Sequence, residues 1–471
     1  MNAINPNIHM FRTRKNYYVY DTNRNKIMSI NKSIYKDFKK IKKGKIVENN
    51  WIEQMIEKGY FSSERYKTVE HPKTKNLNYY LDNLINSVTL QVTQDCNFRC
   101  RYCVFSDGSS NRDHSKKKMS FDVAKKSIKF LINHSIDNSF VSLGFYGGEP
   151  LIEMNIIKKC VQYCKIHGEG KNIIYNMTTN GSLLNKENAK FLVENNFRLT
   201  VSLDGNKNIN DKNRVFKGGK GTFDIVRNNL LSIKNYYPDF FEKNINLSIV
   251  IDPRNEFDEI KELFYNGDFL KECRTKITFV DDEYLDNRIE AKDNFEEDYE
   301  YEKFKALLYF LGRIEKNELP KLVLKEIDDI NSGISQLKYE IDKIYEKTHH
   351  SGPCVPGTTR MLINTDGDFY PCERVKENCE KVKIGDIYSG FNYKRVEELL
   401  NIGKLTENEC KNCFAHSLCD ICLVAVIDGK KDDITRNKKI EKCLSTKRKS
   451  EEVFKDICVI SEVSENQLYI I

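Results

Sequence analysis

Cys96, Cys100 and Cys103 stand as C-x3-C-x2-C within Thr93-Gln94-Asp95-Cys96-Asn97-Phe98-Arg99-Cys100-Arg101-Tyr102-Cys103. Three thiolates so close in one loop can hold three irons of a 4Fe–4S cluster and leave the fourth iron open to chelate a cofactor. A single zinc ion suits the pattern less well, because it takes four ligands and no fourth stands nearby. The chain has 15 cysteines. A disulfide framework belongs to small secreted domains rather than to 471 residues, so metal ligation is the better reading.

Further polar groups follow in places where a ligand could be met. Gly147-Gly148-Glu149-Pro150 offers backbone without side chains and a carboxylate that can accept hydrogen bonds from an ammonium. Thr178-Thr179-Asn180-Gly181 and Ser202-Leu203-Asp204-Gly205 end two strand-like runs. Asn180, Ser202 and Asp204 could reach a ribose or a substrate there, or simply cap turns. Near the C-terminus the spacing is Cys354-x12-Gly367-x4-Cys372, then Cys410-x2-Cys413-x5-Cys419-x2-Cys422, then Cys443. Cys379 lies between the two groups. Cys160 and Cys164, four apart on a predicted helix, read as small buried apolar residues, and Cys273 and Cys458 have no assigned role.

The elements that must position these residues follow from periodicity. From about 87 onward, strand-like runs alternate with helical ones. The runs are Val88–Val92, Val141–Tyr146, Ile173–Thr178, Leu199–Leu203, Asn246–Ile251 and Lys276–Val280. Ser120 is placed to cap a helix with Ala124, Ile128, Leu131 and Ile132 on one face. Alternation of this kind predicts a parallel sheet, and six units predict a partial, TIM-like (β/α)6 barrel of the α/β class. Its ligands would lie at the carboxyl ends of the strands.

Before the barrel, Tyr17-Tyr18-Val19-Tyr20 and Lys26-Ile27-Met28-Ser29-Ile30 predict a hairpin, followed by helices near 33–41 and 49–58. This small N-terminal α+β module is winged-helix-like, and residues 63–80 read as a linker. Residues 285–347 are charged with helical spacing and read as exposed helices bridging two domains. The expected division is 1–85, 86–284, 285–350 and 351–471.

Composition limits the function classes. Apolar content is 39%, with no run long enough to span a membrane and no apolar secretory segment at the start, so a cytoplasmic protein is expected. Net charge is +7, but residues 1–80 carry 17 Lys+Arg against 7 Asp+Glu. That module therefore suits an acidic partner, or is merely a solvated surface. No nucleic-acid motif is present, and neither nucleic acid nor membrane is expected as a partner.

The C-x3-C-x2-C run, with an aromatic residue before its last cysteine, and the Gly-Gly-Glu-Pro run resemble the radical S-adenosylmethionine (SAM) superfamily. The resemblance covers about 87–450 together with the C-terminal cysteines, which resemble a SPASM extension. It implies that the open iron at Cys96, Cys100 and Cys103 binds the amino and carboxylate groups of SAM. One electron would then cleave SAM to a 5′-deoxyadenosyl radical that abstracts substrate hydrogen. Gly147, Gly148 and Glu149 would contact the SAM amino group, Arg214 its carboxylate, and Tyr102 would lie near the adenine. Cys410, Cys413, Cys419 and Cys443 would ligate a distal auxiliary 4Fe–4S cluster, and Cys354, Cys372 and Cys422 a nearer one. The last SPASM gap here is two residues, between Cys419 and Cys422, rather than the usual three. The nearer cluster would have either an open iron or Cys379 as fourth ligand. Three 4Fe–4S clusters and SAM are the cofactors implied.

Residues 10–85 resemble the recognition element that binds leader peptides of ribosomally made peptides as an added strand. The combination implies a peptide maturase of the sactipeptide or ranthipeptide type, which joins a cysteine sulfur to a carbon in a thioether. Its partners would be the precursor peptide and an electron donor such as flavodoxin or ferredoxin. Formylglycine formation of the sulfatase-maturase kind, carbon–carbon cross-linking, and a non-enzymatic iron–sulfur sensor are the alternatives.

Overall fold

A computed structural model describes residues 5–464 apart from 104, 106–111, 113, 169, 266–268, 281–288, 351, 353, 430 and the side chains of 263–265 and 271. Residues 285–288, the start of the expected bridge, lie outside it.

Three antiparallel strands open the chain in the spatial order β1 (Ile8–Arg12), β2 (Tyr17–Asp21), β3 (Lys26–Ile30). The hairpin is the expected one, with Asn25 at φ 56° in its turn. β1 was not foreseen. Two helices follow, α1 (Lys32–Ile41) and α2 (Asn50–Glu57). Each is capped by an asparagine: Asn31 accepts from the Ile34 amide, and Asn49 from those of Trp51 and Ile52. Period-two alternation gives the sheet two apolar faces. Val19, Met28 and Ile30 meet Ile34, Phe38, Ile52 and Phe61 in a core of their own. Phe11, Tyr18, Tyr20 and Ile27 point the other way, against helices far along the chain.

The stretch expected as a bare linker contains β4 (Thr68–Val69) and α3 (Leu77–Asn83). Leu77 and Leu81, one turn apart, are buried in the main core, and the polar residues around them hid this in the sequence.

The barrel strands are β5 (Ser87–Thr93), β6 (Phe140–Gly147), β7 (Asn172–Thr179), β8 (Arg198–Ser202), β9 (Ile245–Ile251) and β10 (Arg274–Phe279), with α4 (Phe121–Asn133), α5 (Met154–His167), α6 (Lys186–Glu194), α7 (Lys207–Asn213), α8 (Phe223–Tyr236), α9 (Pro238–Asn244) and α10 (Phe257–Tyr265) between them. All six pair in parallel in sequential order, as a partial barrel requires. Ser120 caps α4 by accepting from the Val123 amide.

Next come α11 (Phe295–Phe310) and α12 (Leu324–Leu337). These were expected to be exposed. Instead Ile327, Ile330, Gly333 and Leu337 of α12 are buried, and a Cβ on Gly333 would come within 2.6 Å of Val453. Glu302 of α11 is wholly buried between Lys261 and Lys305, at 3.1 and 2.8 Å. Here the charges pair with one another rather than facing water.

The remainder comprises β11 (Lys347–Thr348), β12 (Leu362–Ile363), β13 (Asp368–Tyr370), β14 (Gly385–Asp386), β15 (Gly390–Phe391), α13 (Tyr393–Leu400), α14 (Glu407–Lys411), β16 (Ile427–Asp428), β17 (Asp433–Ile434) and α15 (Arg436–Ser464). β11 pairs with β4. β12 pairs in parallel with β5, so β12 to β15 extend the barrel sheet to ten strands. α15 packs on α12 and on the N-terminal sheet, where the Phe454 ring lies 4.6 Å from that of Tyr20 and His9 meets Glu451 at 2.9 Å.

Candidate active site

Alternation along the parallel strands sends apolar residues such as Leu199, Val201, Leu247 and Ile249 into the core and their polar neighbours the other way. Asn176, Thr178, Thr200, Ser202, Asn246 and Ser248 thereby line a cavity of about 1710 Å³. Of these only Ser202 was singled out from the sequence, although the period-two pattern was there to be read. At its far side the cavity is bounded by charged residues of α11, α12 and α15, among them Lys303, Lys325, Asp329, Lys449 and Asp456.

Cys96, Cys100 and Cys103 all line this cavity, from the loop that follows β5. Burial pushes the Cys96 thiol up to about 12 and that of Cys100 to about 11. They would release protons only to a metal. The loop is fixed from the neighbouring strand: the Gly148 amide donates to the Thr93 carbonyl and the Glu149 amide to the Asp95 carbonyl, each at 2.9 Å. This close approach requires glycine. A Cβ on Gly147 would lie 2.2 Å from the Thr93 carbonyl oxygen, and one on Gly148 2.1 Å from that of Asp95.

Glu149 differs from expectation. It does not line the cavity. Its carboxylate accepts from the Leu151 amide (3.0 Å), the Thr179 hydroxyl (2.7 Å) and the Asn180 amide (2.6 Å). The reason is local: Glu149 caps the short helical turn Pro150–Glu153, which draws the carboxylate toward its orphan amides. Its role here is to hold Asn180, which does line the cavity. The Asn180 side-chain amide donates to Asn97 at 2.8 Å and approaches the Cys96 sulfur at 3.8 Å.

Tyr102, Asp204 and Arg214 form one buried group. Arg214 donates to the Tyr102 hydroxyl at 2.8 Å, and that hydroxyl donates to Asp204. Asp204 also accepts from the Val250 amide at 3.1 Å. Burial raises the Asp204 carboxyl above its ordinary range. Burial alone would lower the Arg214 guanidinium, but the nearby Cys100, Tyr102 and Asp204 hold its proton firmly. Asp204 itself stands behind the cavity wall, whereas Tyr102 and Arg214 face the cavity. Among the described residues, the buried Arg214 Nε has no hydrogen-bond partner. A buried cationic donor left open suits a carboxylate.

The C-terminal cysteines fall into two groups, with Cys422 apart from the Cys410, Cys413 and Cys419 run that its spacing joins. Cys410, Cys413, Cys419 and Cys443 line one small cavity with His350, His416 and Lys439. Cys354, Cys372 and Cys422 influence one another electrostatically, and burial pushes Cys372 to about 11. Cys379 is fully buried, and its thiol donates to the Asp432 carbonyl at 3.2 Å. Cys160 and Cys164 lie in the main core on α5.

Among the described residues, no three His, Cys, Asp or Glu side chains converge as one metal ion would require. The thiols are spread along cavity walls, which suits a cluster that gives each cysteine its own iron. With three cavity-lining thiols, a glycine cradle and an open guanidinium, the site fits a 4Fe–4S cluster and a cofactor bearing an amino acid. No described helix is long and apolar enough to cross a membrane.

Comparison with known proteins agrees with this site. The Radical SAM superfamily model matches residues 90–264. A cysteine-type anaerobic sulfatase-maturating enzyme of Clostridium novyi is 27% identical over 339 residues, covering 69% of this chain and 84% of that protein. The uncharacterised protein MJ0907 of Methanocaldococcus jannaschii is 36% identical over 148 residues, 31% of this chain and 48% of its own. The solved structure of anSMEcpe with bound AdoMet shares the fold at a TM-score of 0.58 and 22% identity, covering 82% of this chain and 100% of that one. Residues 90–264 thus match the Radical SAM superfamily, and the chain is similar to the anaerobic sulfatase-maturating enzymes.

Proposed function

We propose that this enzyme matures a ribosomally made, cysteine-rich peptide by joining cysteine sulfur to carbon in thioether cross-links. The observation that carries the reading is the N-terminal module. β1 of its sheet is covered by α15, through His9 to Glu451 and Thr13 to Glu462. β3 ends the sheet and, among the described residues, pairs with no further strand. Such an edge can accept an extended leader peptide through backbone hydrogen bonds. The module's surplus of Lys and Arg suits an acidic leader.

Cys96, Cys100 and Cys103 would hold the catalytic cluster, Arg214 the SAM carboxylate, and Gly147 and Gly148 the close backbone approach. Cys410, Cys413, Cys419 and Cys443 would hold a distal auxiliary cluster, and Cys354, Cys372 and Cys422 a nearer one. When bound, cluster and SAM supply a 5′-deoxyadenosyl radical that takes a hydrogen atom from a substrate carbon. In balance, SAM and the peptide give methionine, 5′-deoxyadenosine, a proton and a product lacking two hydrogens. SAM is the oxidant. The electron that starts the cycle would come from a flavodoxin- or ferredoxin-like donor and would be given back to the enzyme's clusters as the sulfur–carbon bond forms. Tyr102 and Asp204 orient Arg214, and the polar inner face of β7 to β9 holds the substrate segment.

A second reading has specific support. The Clostridium novyi relative is a cysteine-type sulfatase-maturating enzyme, and a solved neighbour of the fold holds AdoMet with a Cp18Cys peptide. Formylglycine formation from cysteine expels the sulfur, whereas a thioether retains it. Mass spectrometry of a co-encoded cysteine-rich peptide, incubated anaerobically with reconstituted enzyme, SAM and reductant, separates them. Loss of two hydrogens per cross-link, with sulfur kept, is the expected result. A sulfur-free product, a carbon–carbon bond or an unchanged peptide refutes the thioether reading. Removing the leader from the substrate should abolish turnover, and undiminished turnover would refute the role of the module.

A further inference from the structure

Four of the eight histidines cluster beside the distal cysteines: His71, His349, His350 and His416. His349 has its partners. Its Nε2 accepts from the Gly403 amide at 3.3 Å, so Nδ1 carries the hydrogen and donates to the carbonyls of His350 (3.0 Å) and Gly352 (3.2 Å). His350 and His416 do not. They are 3% and 5% exposed, and both line the cavity of Cys410, Cys413, Cys419 and Cys443. Among the described residues, neither ring nitrogen of His350 has a hydrogen-bond partner, nor does Nε2 of His416. A buried polar group left unpaired costs about 1–3 kcal/mol, and each neutral ring has one N–H to give, so two such rings at one cavity point to an acceptor within it. Lys439, also fully buried, donates to the Ile402 carbonyl at 2.9 Å and approaches the Cys410 sulfur at 3.8 Å.

We propose that His350 and His416 donate N–H hydrogen bonds to the sulfur atoms of the cluster held by Cys410, Cys413, Cys419 and Cys443, and that with Lys439 they raise its reduction potential. The proposal rests on the reading of this cavity as a cluster site. Reduction adds negative charge to the site. Hydrogen-bond donors and a buried ammonium favour the more negative state, so the site accepts an electron more readily than four thiolates in an apolar pocket would. The two histidines are positioning residues, since neither lines the substrate cavity.

The test is an anaerobic potentiometric titration of the full-length, reconstituted enzyme, with dithionite as reductant and electron paramagnetic resonance as readout. Cys410→Ala identifies the distal signal. His350→Phe and His416→Phe should keep wild-type iron content and the distal signal. Each should shift its midpoint downward by a tenfold change in the reduction equilibrium, 59 mV for one electron. His350→Gln retains an N–H donor and should shift it less. Midpoints unchanged in both Phe variants with iron intact would overturn the proposal. So would loss of distal iron in His350→Phe and His350→Gln alike, which would make the imidazole a ligand. If Cys410→Ala instead keeps all its iron and every signal, it is the cluster reading of the cavity that fails.

Discussion

Replacing Gly148 by alanine adds one methyl group at the point where the end of β6 touches the cysteine loop. The added Cβ would lie 2.1 Å from the Asp95 carbonyl oxygen, 2.4 Å from its carbon and 3.0 Å from the Cys96 nitrogen. All three are backbone atoms, so no side chain can swing aside. The loop must retreat by about 0.9 Å to restore a 3.0 Å contact. That retreat stretches two 2.9 Å hydrogen bonds, Gly148 to Thr93 and Glu149 to Asp95. At about 0.5–1.5 kcal/mol per lost bond, plus the cost of burying the freed groups, the expected destabilisation is about 2–5 kcal/mol. It should fall on the cysteine loop. Gly218→Ala is the control, since a Cβ there meets nothing within 4 Å. Iron per chain after reconstitution, 5′-deoxyadenosine yield and the urea midpoint should all fall in Gly148→Ala and hold in Gly218→Ala. Unchanged iron content and deoxyadenosine yield in Gly148→Ala would refute the claim that this contact sets the loop.

Arg214→Ala should weaken SAM binding about 10- to 100-fold through loss of a charged hydrogen bond, measured by equilibrium dialysis on the reconstituted enzyme. Affinity equal to wild type would remove Arg214 from the site. Burial raises the Asp456 carboxyl from 3.8 to about 6. The folded chain therefore binds more protons than the unfolded one between those values, and this group's contribution to stability declines as pH climbs through 6. Asp456→Asn should gain about 1–2 kcal/mol at pH 8, allowing for partial exposure, and less at pH 5.5. An equal gain at both pH values in urea titrations would contradict the assignment. Phe454→Ala should cost about 3–5 kcal/mol and free the N-terminal sheet, speeding proteolysis between 63 and 67. No change in cleavage rate would show that Phe454 does not hold that contact.

The barrel was readable because its strands are long and their alternation regular: each of the six lies within two residues of its expected bounds. Ser120 announced its helix through ordinary capping chemistry. β1, β4 and β12 were not readable, since strands of two to five residues with mixed polarity carry little periodicity, and pairing of β12 with β5 is a long-range choice. The burial of α12 escaped notice because its charged residues, Lys325, Glu326, Asp328 and Asp329, are as many as the four that pack. At the site, the grouping of the C-terminal cysteines came from the family resemblance, since spacing alone sets Cys422 beside Cys419, and nothing in Gly-Gly-Glu-Pro revealed that Glu149 would turn toward Thr179 and Asn180. The histidines near the distal cysteines were equally silent, being more than 60 residues apart in sequence for His350 and His416.

Leu362 and Ile363 occupy the flank of β5 that no barrel strand covers. A chain cut short before them would carry β5 as a raw, apolar border, with Val88, Leu90 and Val92 on a strand open to any passing partner. Such borders recruit other chains. The C-terminal quarter therefore doubles as a guard against self-association, and a minimal catalytic fragment ending near residue 350 would precipitate rather than serve as a smaller enzyme.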